Sequence, residues 1–149
     1  MSWKYRTDEV SLLNTGGTGD IDMGVETVIT TNVITASETG KTFFLALAGG
    51  FVSTLPAPKA GLRFTFVVSV APTTSYTVIC ASSATLIKGH VLTNDVNSAT
   101  DADFGTAGEL TLTFVANKAV AGDRATLISD GTNWFVQAAA SVFDAITLS

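Results

Sequence analysis

Short β-type segments, each closed by a turn, follow one another through most of this 149-residue chain. Residues 62–70 show the pattern best, because their apolar side chains fall on one face of an extended segment: Leu62, Phe64, Phe66, Val68 and Val70. A period of two is typical of a strand with one buried face. The alternation therefore predicts a strand here, and its continuous apolar face predicts a central place in a sheet.

Further segments repeat this signal along the chain. Residues 109–116 alternate strictly, and residues 124–129 and 134–138 flank a four-residue turn at 130–133. The only helix candidate, residues 118–124, contains Gly122 and is too short to be stable alone. The 23 threonines and 13 glycines also favour strands and tight turns. Eight to ten short strands are expected, which predicts an all-β fold, an antiparallel β-sandwich or jelly roll.

The N-terminal segment, residues 1–26, differs in composition from the rest. It carries a third of the charged residues and four glycines, and no periodicity persists through it. We therefore predict an extended N-terminal arm, residues 1–26, ahead of a β-sandwich domain, residues 27–149. Ordering each residue costs roughly 1–2 kcal/mol, more than the few apolar side chains of the arm can return. The arm is thus expected to pack on a neighbouring molecule, with four anchors: Trp3, Tyr5, Leu12 and Leu13.

Charge and hydropathy exclude several classes of partner. The net charge is −5, the isoelectric point is about 4.5, and no basic cluster occurs, so nucleic acid is not an expected partner. The apolar runs are too short to cross a bilayer, and the polar start does not resemble a signal peptide. The single cysteine, Cys80, excludes an internal disulfide. These features predict a protein made and assembled in a cytoplasm, without a membrane partner.

Residues able to perform catalysis are few. His90 is the only candidate base near neutral pH, and it lies beside Gly89. No G-x-S-x-G motif marks a nucleophile, and Cys80 lies among apolar residues, where cysteine is usually a small buried hydrophobe. We therefore predict no enzymatic activity and no cofactor.

Two further features suggest ligands. Asp95, Asp101 and Asp103 lie in residues 93–108, which predict a long polar loop, and could hold calcium, although they lack the EF-hand order. Asp20 and Asp22, with Glu26 beyond, form a second acidic group. A solvated loop is the favoured interpretation of both groups, so no metal is assigned.

Aromatic side chains follow the turn at residues 130–133. Trp134 either packs in the core, which is favoured, or stacks on a sugar, as in a lectin. The same alternatives apply to Phe135, because neighbouring residues of a strand point to opposite faces.

Four segments carry a resemblance to a known group of proteins. Residues 53–68 (STLPAPKAGLRFTFVV) place a T-L-P strand end and a short A-x-x-G turn before an apolar strand. Residues 76–81, 87–89 and 129–136 fit the strand, turn and S-D-G-T-N-W-F-V hairpin that follow. Residues 40–139 as a whole resemble small capsid decoration (cement) proteins and the β-rich head-fibre and tail-fibre modules of tailed phages.

The resemblance implies a structural role in a virion, as a homotrimer, and it carries over no catalytic residue. The leading hypothesis is a decoration protein that binds the major capsid protein on the capsid exterior and stabilises the shell. The alternative is a receptor-binding module of a head fibre or tail fibre. Contacts with a capsid shell would favour the first, and a sugar-binding trimer the second.

Overall fold

The alternating segments form strands, and the strands form two sheets packed against each other around one apolar core. The computed structural model describes residues 24–94 and 102–149, the first five of the second range by their backbone alone. Sheet A has the order β1-β3-β5-β10-β11-β7-β8, with strands at Val25–Val28, Thr42–Leu45, Arg63–Val68, Arg124–Ser129, Trp134–Ala140, Ile87–Thr93 and Ala102–Glu109. Sheet B has the order β12-β9-β6-β4-β2, with strands at Ile146–Leu148, Thr111–Phe114, Tyr76–Ile79, Val52–Thr54 and Asn32–Val33.

The first six strands form a parallel β-roll, residues 25–79. The chain passes from sheet A to sheet B three times in succession, and we call each such passage, with its return, a coil. Strands β1, β3 and β5 are therefore parallel neighbours in sheet A, and β2, β4 and β6 are parallel neighbours in sheet B. Val25 pairs with Thr42 and Thr42 pairs with Thr65, so the second interval is longer than the first. These unequal intervals explain why no fixed repeat is visible in the sequence.

Antiparallel strands close the roll on its C-terminal side. β10 pairs with β5 in sheet A, and β9 pairs with β6 in sheet B. The turn between β10 and β11 is the predicted four-residue hairpin, in which Asp130 Oδ1 accepts hydrogen bonds from the backbone N–H groups of Thr132 and Asn133, both at 2.7 Å. The first strand of the domain begins at Val25, slightly before the boundary expected at residue 27.

Aromatic rings fill the centre of the core. Phe43 stacks on Phe66 at 5.3 Å between ring centroids, and Phe64 contacts Trp134 at 5.6 Å. All four rings are fully buried. These contacts join β3 and β5 of the roll to β11, so both halves of the chain share one core.

The sandwich prediction is confirmed, whereas its antiparallel order is not. Five of the ten strand pairings among the described residues are parallel. Alternation reports which face of a strand is buried, but not whether the next connection turns back or crosses to the opposite sheet.

Three local predictions are corrected. Residues 102–108, expected within a loop, belong to β8, which ends at Glu109 and pairs with β7 through its backbone without apolar alternation. Residues 118–124 are not helical. Val70, expected on the buried face, lies beyond the end of β5 at Val68 and is exposed.

Candidate functional site: an apolar rim

Five connections between the two sheets lie along one side of the sandwich. Strands β1, β3 and β5 run in the same direction, so their carboxyl ends share one edge of sheet A, where antiparallel β10 begins and β11 ends. We call these connections the crossover rim. It consists of residues 29–31, 46–51, 69–75, 115–123 and 141–145.

Backbone hydrogen bonds join neighbouring connections of the rim. They link three pairs of loops: Thr73 N to Ala48 O at 2.7 Å, Asn117 N to Pro72 O at 2.8 Å, and Val115 N to Ala145 O at 2.9 Å. Bonds of this length between loops hold their relative positions. Four of the five connections are therefore tied to one another, from residues 46–51 to residues 141–145.

Large apolar side chains on the rim face solvent. Six of the twelve exposed large hydrophobic residues among the described residues lie there, between 37% and 62% exposed: Ile29, Leu47, Val70, Val120, Val142 and Phe143. The opposite side, comprising residues 34–41, 55–62, 80–86, 110 and 130–133, has one such residue in the described chain, Leu110. Single exposed hydrophobic residues are ordinary, but six on one side against one on the other is a clear difference between the two sides of the sandwich.

The charges within the described rim are all compensated. Lys118 Nζ lies 3.5 Å from Asp144 Oδ2. Asp123 is buried, and its carboxylate accepts hydrogen bonds from Val120 N (3.0 Å), Ser141 N (2.8 Å) and Ser141 Oγ (3.2 Å). A partner that covered the rim would therefore meet one half-exposed ion pair and no unpaired charge among the described residues.

The dimensions of the rim set how much binding it can supply. Five neighbouring strands of sheet A span about 19 Å, and packed sheets are about 10 Å apart. Such a strip is smaller than the roughly 800 Å² that each partner contributes to a stable interface. A groove of about 560 Å³ continues the rim beside Val120, Leu92 and Asn94. The rim thus has the size of the apolar centre of an interface.

The structure does not bring the candidate catalytic residues together. His90 lies on β7 in sheet A, exposed, with Gln137 as its register neighbour on β11. Cys80 follows β6 in sheet B and packs against the core. Burial raises the pKa of the Cys80 thiol to about 11, so the thiol is protonated at neutral pH and is a poor nucleophile.

The two aromatic residues of β11 face opposite sides, as expected. Trp134 is fully buried against Phe64, which confirms the core interpretation for this residue. Phe135 is 46% exposed on the outer face of sheet A. The indole Nε1 of Trp134 has no hydrogen-bond partner among the described residues, so no polar contact fixes this ring.

The acidic groups and the arm anchors fall largely outside the described residues. Asp95 and Asp101 lie outside, only the backbone of Asp103 is described, and Asp20 and Asp22 also lie outside. Glu26 lies on β1 and pairs with Lys41 at 2.9 Å. Within the described ranges no three His, Cys, Asp or Glu side chains are grouped as metal ligands. The four anchors also lie outside the described residues: Trp3, Tyr5, Leu12 and Leu13.

Sequence reasoning missed the rim, although a signal for it exists. Leu47 lies in A-L-A-G-G, Val70 in S-V-A-P, and Val142 with Phe143 in S-V-F-D, all at strand ends. Large apolar residues among small turn residues have no buried strand face to occupy. Their alignment on one side depends on the parallel crossings, which only the topology shows.

Comparisons with known proteins add no relative. Neither protein-family models nor curated proteins match this chain. No helix in the described part of the chain is long and apolar enough to cross a membrane.

Proposed function

We propose that this chain is a non-enzymatic structural protein of a tailed-phage virion, which decorates the capsid exterior and stabilises the shell by binding neighbouring subunits through the crossover rim. The observation that carries the proposal is the row of six exposed hydrophobic side chains on a surface whose charges are all compensated. Burial of such a row against a protein surface is the usual source of interface affinity.

The rim is suited to a protein partner rather than to a small molecule. It is a line of loop ends, whereas small-molecule sites are concave pockets with convergent polar groups. Its loops are tied to one another by backbone hydrogen bonds, so little ordering is needed on binding. The proposed partners are the major capsid protein and other copies of this chain, which we propose to be a homotrimer.

A matched pair of leucines tests the proposal. Leu47 lies on the rim, Leu110 lies on the opposite side, and both are 41% exposed. Leu47→Arg places an unpaired charge within the apolar row, and we expect capsid affinity to fall at least tenfold. Leu110→Arg adds the same charge away from the rim, and we expect less than a twofold change.

The measurement is cosedimentation of the purified full-length variants with capsids of the phage whose genome encodes the chain. Equal effects of the two substitutions would show that the rim is not the contact surface. Failure of the unaltered protein to bind capsids, together with binding to host cells, would contradict decoration and support the receptor-binding alternative.

A further inference from the structure

Within residues 24–94 and 102–149, the first coil of the β-roll leaves one edge of each sheet unpaired. β1 is the outermost strand of sheet A and β2 the outermost strand of sheet B, and both belong to residues 25–33. No strand in the described ranges pairs with the outer edge of either one. An exposed edge is a template for pairing with another chain unless something covers it.

The hydrogen bonds of these strands show which backbone groups face outward. Gly24 O and Val28 O accept bonds from residues on the β3 side, at 2.6 and 2.9 Å. Because bonding in a parallel strand alternates between its two edges, the backbone groups of Val25 and Thr27 face the open edge. On β2, Ile34 N donates to a residue of β4 at 2.9 Å, so the backbone groups of the preceding residue face outward.

The side chains beside these open groups are apolar and accessible. Val25 on β1 is 51% exposed, and Val33 on β2 is 71% exposed. Both belong to a β-branched residue type that packs well against a neighbouring strand. The open end of the roll therefore offers backbone groups for strand pairing in both sheets, with an apolar side chain beside each edge.

The segment that precedes β1 has the length of one more coil. The shortest coil of the roll advances from Val25 to its partner Thr42, and the longest advances from Val52 to its partner Thr77. The length of residues 1–23 falls between these two. The segment can therefore supply one further strand to each sheet.

The apolar spacing of this segment also matches the two open strands. Tyr5 precedes Glu26 on β1 by the same number of residues as Leu13 precedes Ile34, which follows β2. This interval lies within the range set by the shortest and longest coils. Glu26 shares a face of β1 with the buried Val28, and Ile34 is itself buried. In this alignment an apolar anchor extends the core-facing side of each sheet.

The composition of residues 14–20 favours delivery of this coil to another molecule. With Leu13 aligned on Ile34, residues 13–20 correspond to the connection at residues 34–41, and the next connection of the roll, residues 55–62, is held by buried side chains at both ends, Leu55 and Leu62. After Leu13, residues 14–20 read NTGGTGD, with three glycines and no large apolar side chain. Glycine-rich composition is that of a linker rather than of a packed corner.

We propose that residues 1–23 of one copy bind the open end of the β-roll in a second copy and add a coil to it, with one strand beside β1 and one beside β2. The donor and acceptor surfaces differ, so the contact is heterologous and can close into a ring. This inference deepens the proposed homotrimer, on which it rests, and names its contact. It is tested on the purified chain without capsids, so its failure leaves capsid binding by the rim untouched.

A directed disulfide reaction tests the contact between copies. All variants carry Cys80→Ser, so that each chain has a single chosen thiol. One chain carries Thr27→Cys, activated as a mixed disulfide with thionitrobenzoate. The other chain carries Arg6→Cys as the free thiol. Residue 6 lies opposite residue 27 in the proposed alignment, and attack by its thiolate releases thionitrobenzoate. Paired residues of neighbouring strands approach closely enough for a disulfide. We expect the disulfide between the two chains to form at least tenfold faster with Thr27→Cys than with activated Thr132→Cys, a control in the exposed hairpin turn. Equal rates would overturn the proposal.

A chain with both Arg6→Cys and Thr27→Cys separates exchange between copies from folding back. Under mild oxidation we expect covalent species up to a closed trimer on a non-reducing gel. A cross-linked monomer as the sole product would show that the segment covers its own roll, and would overturn the exchange.

Substitution at the open edge gives a second, independent measurement. Thr27→Pro removes an outward N–H, whereas Thr27→Val keeps it, and proline is tolerated on edge strands. Light scattering should report loss of the trimer for Thr27→Pro and its retention for Thr27→Val, with circular dichroism confirming the β fold of both. A trimer in both variants, or a monomer in both, would contradict strand addition at β1.

Discussion

The two sides of the sandwich carry the connections of the same two sheets, yet they present different chemistry to solvent. On the crossover rim, six large apolar side chains are exposed and the charges are compensated within the rim. On the opposite side, Leu110 is the one exposed large hydrophobic residue described, and Lys41 bridges Glu26 and Glu38 at 2.9 and 3.1 Å. Strand packing requires neither arrangement. This difference is the basis of the proposal that the rim contacts another protein.

The largest effect is expected at a glycine of the rim. Gly50 has φ +70°, and a Cβ there would collide with the carbonyl oxygens of Thr74 and Ser75. Gly61, on the opposite side, has φ +87°, and an added Cβ would meet no atom within 4 Å. We expect Gly50→Ala to reduce the free energy of unfolding by more than about 3 kcal/mol, because backbone must move. Gly61→Ala should cost about 1 kcal/mol, the strain of positive φ alone.

Urea denaturation of the two alanine variants measures this difference. Each carries one added methyl group, so the chemical change is matched. Similar urea midpoints for both variants would show that the rim loops move to accommodate the added methyl group and do not hold one another in place.

Asp123 is the next largest contributor. Its buried carboxylate joins residue 120 to residue 141 through three hydrogen bonds. Asp123→Ala leaves these donors without an acceptor, which should cost about 2–4 kcal/mol. Asp144→Ala removes only the half-exposed pair with Lys118, worth at most about 1 kcal/mol. Thermal unfolding should separate the two, and comparable losses would contradict the structural role of Asp123.

Acid should loosen two loops on the opposite side of the sandwich. Burial opposes ionisation of Glu38, yet hydrogen bonds from Thr35 and Lys41 hold its pKa below the usual value. Backbone N–H groups of Asn133 and Thr132 lower the pKa of Asp130. A lowered folded-state pKa gives stability that is present above the ordinary carboxyl pKa and is lost as the pH falls through the lowered value.

Amide hydrogen exchange between pH 5 and pH 2 follows this loss. Protection at residues 35–38 and 130–133 should fall over this range, and Glu38→Gln should remove the pH dependence at residues 35–38. Unchanged protection of both segments down to pH 2 would contradict the role of these carboxylates.

The smallest effects are expected on the free energy of unfolding when either exposed leucine is replaced. Leu47→Ser and Leu110→Ser should each change the free energy of unfolding by less than about 0.5 kcal/mol, because both side chains are already partly exposed. A larger loss in Leu47→Ser, measured by urea denaturation, would indicate that this side chain serves the fold rather than a partner.

The sequence predicted most of the strands but not their order in the sheets. Phe64, Phe66 and Val68 show the buried face of β5 because alternation is local information. Leu47 and Val70 lie on the same side because the chain crosses to sheet B and back between β3 and β5. Alternation within a strand does not show in which direction the next strand runs. β8 was missed for a related reason, because its pairing with β7 is formed by the backbone, without an alternating apolar face.

The stacked construction of the roll also determines how such a protein can change its length. Inserting or removing one coil, near residue 34 or residue 55, would alter the stack by one strand spacing, about 4.8 Å. Every added coil would bring one more loop to the crossover rim, while strands β9 to β12 would remain as they are. The length of the stack can therefore change in steps of one strand, while the C-terminal strands stay the same.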